Sequence, residues 1–458
     1  MYFQQFYLTC LSHASYMIGS EGIACVVDPQ RDVSLYLDEA RAQNLQIRYI
    51  IETHLHADFV SGHQELAERA GAKIYLGAHA GATFPHFPVH DGDEIRFGRA
   101  ILRFLETPGH TVESISVTVT DLDRGDAPFA VLTGDTLFIG DVGRPDLAPD
   151  LTPQQLAGML FDSLHQKLIP LGDEVEVWPA HGAGSLCGKQ MRPERQSTIG
   201  KERALNYALR PRTKDEFVRL LTADLPDRPE YFARDAEINR TGAAALTDLA
   251  PLPVLSTEQV IAARDGGAIV LDTRPSQQFC AGHVPGAVHI ALSGQYASWA
   301  ATLVGLDQPI VLVAEDPAQL EESRMRLARV GIDRVSGGLK DGMAGWTGPV
   351  AQIAQITAED LRRELPEVQI VDVRRRPEWD EGHIEGAVLM PLNQVAAQLA
   401  SLDRTRRVAV HCKGGYRSAI AASLIQRAGF ESVANVIGGF DAWRACGLPE
   451  VRETEVPA

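Results

Sequence analysis

Long apolar runs are absent. No stretch reaches the ~18 consecutive apolar residues that a membrane span requires. The opening MYFQQFYLTC has no basic segment leading into an apolar one, so neither a spanning helix nor a secretory signal is expected. Positive charge is scarce. Against 60 Asp and Glu stand 43 Lys and Arg, a net charge of −17, which speaks against a nucleic-acid or anionic-membrane partner and leaves room only for a local basic pocket. Cysteine is sparse too. The six residues Cys10, Cys25, Cys187, Cys280, Cys412 and Cys446 show no paired spacing, which excludes a disulfide framework and fits free thiols in a reducing, cytoplasmic setting. What is present is an ordinary globular composition, 45% apolar and 22% charged, in a chain of 458 residues. At roughly 100–200 residues per domain, that length makes two to four domains.

The second half of the chain repeats itself. IVLDTRPSQQFCAGHVPGAVHI recurs as IVDVRRRPEWDEGHIEGAVLM, so that Asp272, Arg274, Gly282, His283, Gly286 and Ala287 return as Asp372, Arg374, Gly382, His383, Gly386 and Ala387. Each copy later carries a glycine pair and a tryptophan: Gly337, Gly338 and Trp346, then Gly438, Gly439 and Trp443. A period this long means duplicated domains, not a solenoid. Short apolar strands such as PIVLVA and RVAVHC alternate with helical segments, which reads as a small α/β domain on a mainly parallel sheet. The expected limits are 251–350 and 354–458, behind a first domain over 1–245. The stretch near 227–253 mixes charge, Gly and Pro and reads as a partly ordered connection.

The first domain has strand candidates that share one feature. Ile47–Glu52 is followed by His54, His56 and Asp58, Ile101–Leu105 by His110, Phe129–Leu132 by Asp135, and Val175–Trp178 by His181. Side by side in one sheet, such strands would bring these groups together. A lone H-x-H is weak evidence for a metal, but THLHADFVSGH is joined by TPGHT, TGDTLF and PAHG, and packing alone does not explain ligand chemistry at four strand ends. His13, His79, His86 and His90 have no motif around them and read as surface or structural residues.

These motifs resemble the metallo-β-lactamase fold, an αββα sandwich with its metal at one edge. Phe59 stands where the signature H-x-H-x-D-H has its last histidine, and phenylalanine cannot coordinate, so a second metal site should be empty or very weak. Within that fold, THLHADFVSGH, TPGHTVESIS and GDTLFIGDVGRPDL resemble persulfide dioxygenases over roughly residues 1–200. The resemblance implies one Fe(II) per chain held by His54, His110 and Asp135, a 2-His-1-carboxylate set that leaves positions for O2 and a low-molecular-weight persulfide such as glutathione persulfide. His56, Asp58 and His181 would then orient ligands or water, although zinc members of the fold use His56 as a ligand. Arg144 either holds a substrate carboxylate or is salt-bridged within the fold. Cys187, in HGAGSLCGK, is either an accessible thiol that relays a persulfide or a small packed side chain. The alternative on the same fold is a zinc-dependent acylglutathione thioester hydrolase, and Phe59 argues against it.

RVAVHCKGGYRSAIAASLIQRAG reads as strand, tight loop and helix, with Cys412 at the strand end and Lys413, Gly414, Gly415 and Tyr416 leading to Arg417. Inward N–H groups and the helix N-terminus favour a thiolate or a bound persulfide there. Arg417 offers a fork for an oxyanion. The loop resembles the rhodanese active site, C-x-x-G-x-R, and the match extends over about 355–450. Related phosphatases carry a loop one residue longer, so this length suits a transferred sulfur atom. The first copy has Ala314 and Glu315 at the strand end and no cysteine after them, which makes it a scaffold. Cys280 and Cys446 read as inert thiols, and Asp372 with Arg374 as a buried pair. The expected whole is an α/β multidomain chain, a metallo-β-lactamase-like sandwich followed by two rhodanese-like domains. It would oxidise a persulfide to sulfite and thiol and make or use thiosulfate; homo-oligomerisation is left open.

Overall fold

The computed structural model describes residues 1–210, 213–225 and 227–452, so the last six residues of the expected 354–458 domain lie outside the described residues. The chain divides into two compact units, Met1–Ala250 with Ala328–Gly331, and Pro251–Leu327 with Ile332–Ala458. Among the described residues, no helix is long and apolar enough to cross a membrane.

The first unit is built on two six-stranded sheets. One runs in chain order through β1 (Tyr2–Leu8), β2 (His13–Ser20), β3 (Ile23–Val27), β4 (Gln46–Ile51), β5 (Lys73–Gly77) and β6 (Phe87–Val89). The other comprises β7 (Glu94–Phe97), β8 (Ala100–Glu106), β9 (Ile115–Asp121), β10 (Ala130–Gly134), β11 (Glu176–Pro179) and β12 (Ser197–Thr198), again in sequence order. β2, β9 and β10 are buried along their whole length, as strands covered on both faces must be. Tyr16, Ile18, Val27 and Ile51 from the first sheet pack with Leu102, Phe104, Val117 and Leu132 from the second. The outer face of the first sheet is covered by Tyr36, Ala40 and Leu66 from helices Ser34–Ala42 and His63–Ala70. That of the second is covered by Leu160, Ile199 and Phe217 from helices Pro153–Ser163, Ile199–Leu205 and Lys214–Thr222. The layers are therefore helix, sheet, sheet, helix.

The strands expected to carry metal ligands differ from expectation in one respect. They do not share a sheet: β4 belongs to the first, while β8, β10 and β11 belong to the second. Convergence comes from two packed sheets presenting their strand ends at a common edge. The segment read as a connection also differs, because Tyr231–Thr241 is a helix with Tyr231, Phe232, Asp235 and Asn239 buried.

The second unit holds two five-stranded parallel sheets. The first contains β13 (Val254–Leu255), β14 (Ile269–Asp272), β15 (Val288–His289), β16 (Ile310–Val313) and β17 (Val335–Leu339), ordered β13-β17-β16-β14-β15. β18 (Ala354–Ile356), β19 (Gln369–Asp372), β20 (Val388–Leu389), β21 (Val408–His411) and β22 (Val433–Val436) repeat that order as β18-β22-β21-β19-β20. Each copy opens its first helix with a capping box, Ser256 with Gln259 and Thr357 with Asp360. In each the buried Asp–Arg pair is bidentate, and the arginine also reaches a carbonyl eight residues on: Arg274 to Asp272 and Gly282, Arg374 to Asp372 and Gly382.

The glycine pairs, however, are not equivalent. Gly337 and Gly338 lie inside β17, paired with Val311 and Leu312. The counterpart of Gly438–Gly439 is Asp341–Gly342: φ is 55° at both Asp341 and Gly342, against 70° and 57° at the glycines. A side chain on Gly342 would strike the Ala314 carbonyl, and one on Gly439 would strike the Cys412 carbonyl. The two pairs share letters but not place: measured from the tryptophan, Gly337–Gly338 stand four residues earlier in their copy than Gly438–Gly439 do in theirs.

Candidate metal centre and cysteine loop

At the end of β3, Asp28 fixes the first candidate ligand, His54. Its carboxylate accepts the Thr53 N–H at 2.7 Å and the Thr53 hydroxyl at 2.9 Å, and Thr53 Oγ1 lies 3.0 Å from His54 Nδ1. With the hydroxyl proton committed to Asp28, His54 donates from Nδ1 and keeps a lone pair on Nε2. His110 donates from Nδ1 to the Arg144 carbonyl at 2.9 Å and likewise keeps its Nε2 lone pair. Gly143 makes this possible, because a side chain there would collide with the Asp135 carbonyl and crowd His110 Nδ1. The two free nitrogens face one oxygen: Asp135 Oδ2 is 3.9 Å from His54 Nε2 and 3.4 Å from His110 Nε2.

None of these three buried atoms has a hydrogen-bond partner. Burial lowers the pKa of His54 and of His110 below the ordinary histidine value. Two lone pairs and an anionic oxygen within 4.8 Å of one another, away from water, are costly unless a cation sits among them. The donor set fits a divalent transition metal.

The remaining expected residues surround this trio. His181 is clasped by two carboxylates, Nδ1 at 2.8 Å from Asp135 Oδ1 and Nε2 at 3.0 Å from Asp58 Oδ2. Burial would lower its pKa, but these carboxylates outweigh it and raise the value well above the ordinary one. His181 in turn holds Asp135 well below the usual carboxylate range, against its burial. His56 Nε2 lies 3.2 Å from Asp28 and 3.4 Å from Glu52. The fully buried Phe59 ring fills the space beside it, 4.4 Å from the His56 ring and 4.1 Å from that of His13. Cys187 groups with Asp58 and His181, but it is 1% exposed, and burial pushes its thiol well above the ordinary pKa. Arg144 is buried, with Nε and Nη2 on the Asp146 carboxylate at 2.7 and 2.8 Å and Nη1 on the Leu186 carbonyl, so its charge is used inside the fold.

Two participants carried no signal in the sequence. Asn239, on the supposed connection, accepts the Ser61 N–H at 2.8 Å and donates to the His56 and Phe59 carbonyls at 2.7 Å each, bracing the ligand loop. His13 is fully buried with both ring nitrogens unpartnered, 5.5 Å from the His181 ring. An isolated bridge to His181 at the start of β2 puts it there.

In the second unit, β21 ends at His411 and Cys412 opens the loop. Its Sγ accepts the Gly415 N–H at 3.0 Å and lies 3.5 Å from Ser418 Oγ. Gly415 has φ of 102°, which turns that N–H back toward the sulfur and starts helix Tyr416–Arg427. The next helix, Gly439–Ala445, donates Phe440 N–H to the Cys412 carbonyl and Asp441 N–H to that of Lys413. The loop is thus gripped by two helix N-termini. Arg417, expected to face an oxyanion, places both terminal nitrogens on Glu378 at 2.7 Å. In the first copy Ala314 follows β16 as Cys412 follows β21.

Residues 8–181 match the Metallo-beta-lactamase superfamily, and residues 256–348 and 357–446 each match the Rhodanese-like domain. A solved metallo-beta-lactamase from Staphylococcus aureus is 32% identical, with a TM-score of 0.67, over 74% of this chain and 98% of that one. The chain belongs to the metallo-β-lactamase superfamily and carries two rhodanese-like domains behind it. Within the superfamily, the mitochondrial persulfide dioxygenase ETHE1 of Bos taurus is 29% identical over 215 residues, 45% of this chain and 75% of that protein. A hydroxyacylglutathione hydrolase from Brucella anthropi is 30% identical over 224 residues, 46% of this chain and 77% of that protein.

Proposed function

We propose that the first unit is an Fe(II)-dependent persulfide dioxygenase and that Cys412 transfers sulfane sulfur. The reaction is R–S–SH + O2 + H2O giving R–SH, sulfite and two protons. The observation that carries this reading is the trio His54 Nε2, His110 Nε2 and Asp135 Oδ2, three inward atoms without a protein partner, next to a phenylalanine that contributes no donor. A ferrous ion bound there would supply the redox chemistry with O2 that side chains lack. The residues do the rest. Thr53 and the Arg144 carbonyl keep both imidazoles in the tautomer that offers Nε2. His181 orients Asp135 through its other oxygen and bridges to Asp58. Phe59 packs between the rings of His13 and His56, and the His56 ring lies 4.1 Å from that of His54.

At Cys412, thiolate attack on the outer sulfur of thiosulfate would release sulfite and leave a persulfide, its charge received by the Gly415 N–H and the helix N-terminus. Run the other way, the same site would load sulfite made by the first unit and yield thiosulfate. The hydroxyacylglutathione hydrolase relatives and the second cluster, Asp58, His181 and Cys187, favour a dinuclear hydrolase instead. Metal content and oxygen uptake with glutathione persulfide separate the two. One iron per chain and O2 consumption, both lost in His110→Ala, are expected; two zinc ions and acylglutathione hydrolysis without O2 uptake would refute the dioxygenase.

A further inference from the structure

Between the two repeats of the second unit lies a cleft of about 920 Å³. One wall comes from the first copy, with Ser276, Gln277 and Ser293, and the other from the second, with Gln355 and Asn435. Gly414, Gly415 and Tyr416 of the Cys412 loop form part of the lining, and the Tyr416 hydroxyl ties that loop to the Ala291 carbonyl of the first copy. None of the seventeen lining residues is charged. The cleft therefore does not select for a small polyanion, and it is several times larger than one needs.

One of its amides is incompletely satisfied. Gln355 and Asn435 stand opposite one another on the parallel pair β18 and β22, and Asn435 Nδ2 donates to Gln355 Oε1 at 3.0 Å. Asn435 is 3% exposed, and its Oδ1 has no partner. A buried acceptor of this kind costs stability unless a donor is brought to it. Gln355 has its own N–H groups to offer beside it. An acceptor and a donor side by side match the N–H and C=O that one residue of an extended peptide presents on the same side, which belong to its two flanking amides. Cys280 also lines the cleft, but burial pushes its thiol up to about 12, so it stays protonated and is no rival nucleophile.

We propose that this cleft docks the thiol that exchanges sulfur with Cys412, and that Asn435 and Gln355 select a thiol carrying a peptide-type amide. The first repeat, without a cysteine of its own, then serves as half of the binding site. The step is Cys–S–S⁻ + R–SH giving Cys–S⁻ + R–S–SH. The acceptor sulfur bonds to the outer sulfur, the bond to Cys412 breaks with its electron pair returning to the cysteine, and the thiol proton ends on the new persulfide. The proposal rests on the sulfur-transfer reading of Cys412.

The test compares acceptors in the full-length protein with thiosulfate as donor. Glutathione and pantetheine carry amides; 2-mercaptoethanol and cyanide do not. In Asn435→Leu, and in Gln355→Met at a less buried position, kcat/KM for the amide-bearing thiols relative to 2-mercaptoethanol should fall roughly tenfold through KM, the worth of about one hydrogen bond to a buried group. The larger fall, with glutathione or with pantetheine, identifies whether the amide is peptidic or pantetheinyl. An unchanged ratio in a folded Gln355→Met variant would overturn the cleft assignment. Wild-type protein that transfers no sulfur even to cyanide would overturn the reading of Cys412, and the docking proposal with it.

Discussion

Arg417 lies five residues beyond Cys412, and both of its terminal nitrogens are held by Glu378. Burial alone would raise the Glu378 pKa, but Arg417, helped by the Arg375 N–H, brings it from 4.5 to about 2. A carboxylate with a depressed folded value contributes stability above its unfolded pKa and loses it as pH falls toward the folded one. Glu378→Gln should therefore lower the stability of the second unit at pH 7 by on the order of 1–2 kcal/mol, after allowance for solvent screening of this partly exposed pair. The gap from wild type should narrow between pH 4.5 and 3. Urea midpoints across that range are the measurement, and a gap that does not change with pH would contradict the assignment. Legibility in the sequence also divides at this scale. His54, His110, Asp135 and Cys412 stand in motifs whose spacing reflects local chain geometry. Asn239 acts 178 residues away from Ser61, and Glu378 meets Arg417 from 39 residues upstream, so no local pattern announces either.

Among the elements, the helix Gly439–Ala445 has the plainest task. Its first N–H groups hold the carbonyls of Cys412 and Lys413, and this approach is close enough that only glycine fits at 439. Gly439→Ala should cost roughly 1–3 kcal/mol through the clash and the positive φ together. It should also displace the cysteine loop, so that thiosulfate–cyanide transfer falls more than tenfold while oxygen uptake with persulfide stays at the wild-type level. Gly342→Ala makes the same clash with Ala314 in the first copy and should destabilise by a similar amount without a proportionate loss of transfer. Equal losses of transfer in the two variants would show that the loop is not what Gly439 protects. The strand ends bearing the ligands were readable because apolar runs stop where polar ligands begin. Their division between two sheets was not, since an apolar strand buried on both faces looks the same in either. The glycine pairs misled for a related reason: identity of letters hid a difference of place, one pair inside a strand and the other at the start of a helix.

The molecule as a whole is two compact units, each with its own apolar core: the sandwich packed around Tyr16, Leu102 and Val117, and the repeats around residues such as Ile370, Ala409 and Trp443. A metal bound by the trio stabilises only the unit that binds it. At a thousandfold excess over its dissociation constant a ligand adds about 4 kcal/mol to the folded state. For a unit of this size, each kcal/mol moves the melting temperature by roughly 2–4 °C. Stripping the metal with a chelator should therefore lower one calorimetric transition by about 8–16 °C and abolish oxygen uptake. The cost of leaving a buried carboxylate oxygen facing two lone pairs is part of that figure, because it helps set the dissociation constant. The other transition, and thiosulfate–cyanide transfer by Cys412, should not change, since no ligand of the trio belongs to the second unit. Two transitions that shift together, or a transfer rate that falls with the metal, would mean that the units share their stability after all. In that event the fusion would be one cooperative enzyme, not two chemistries on one chain.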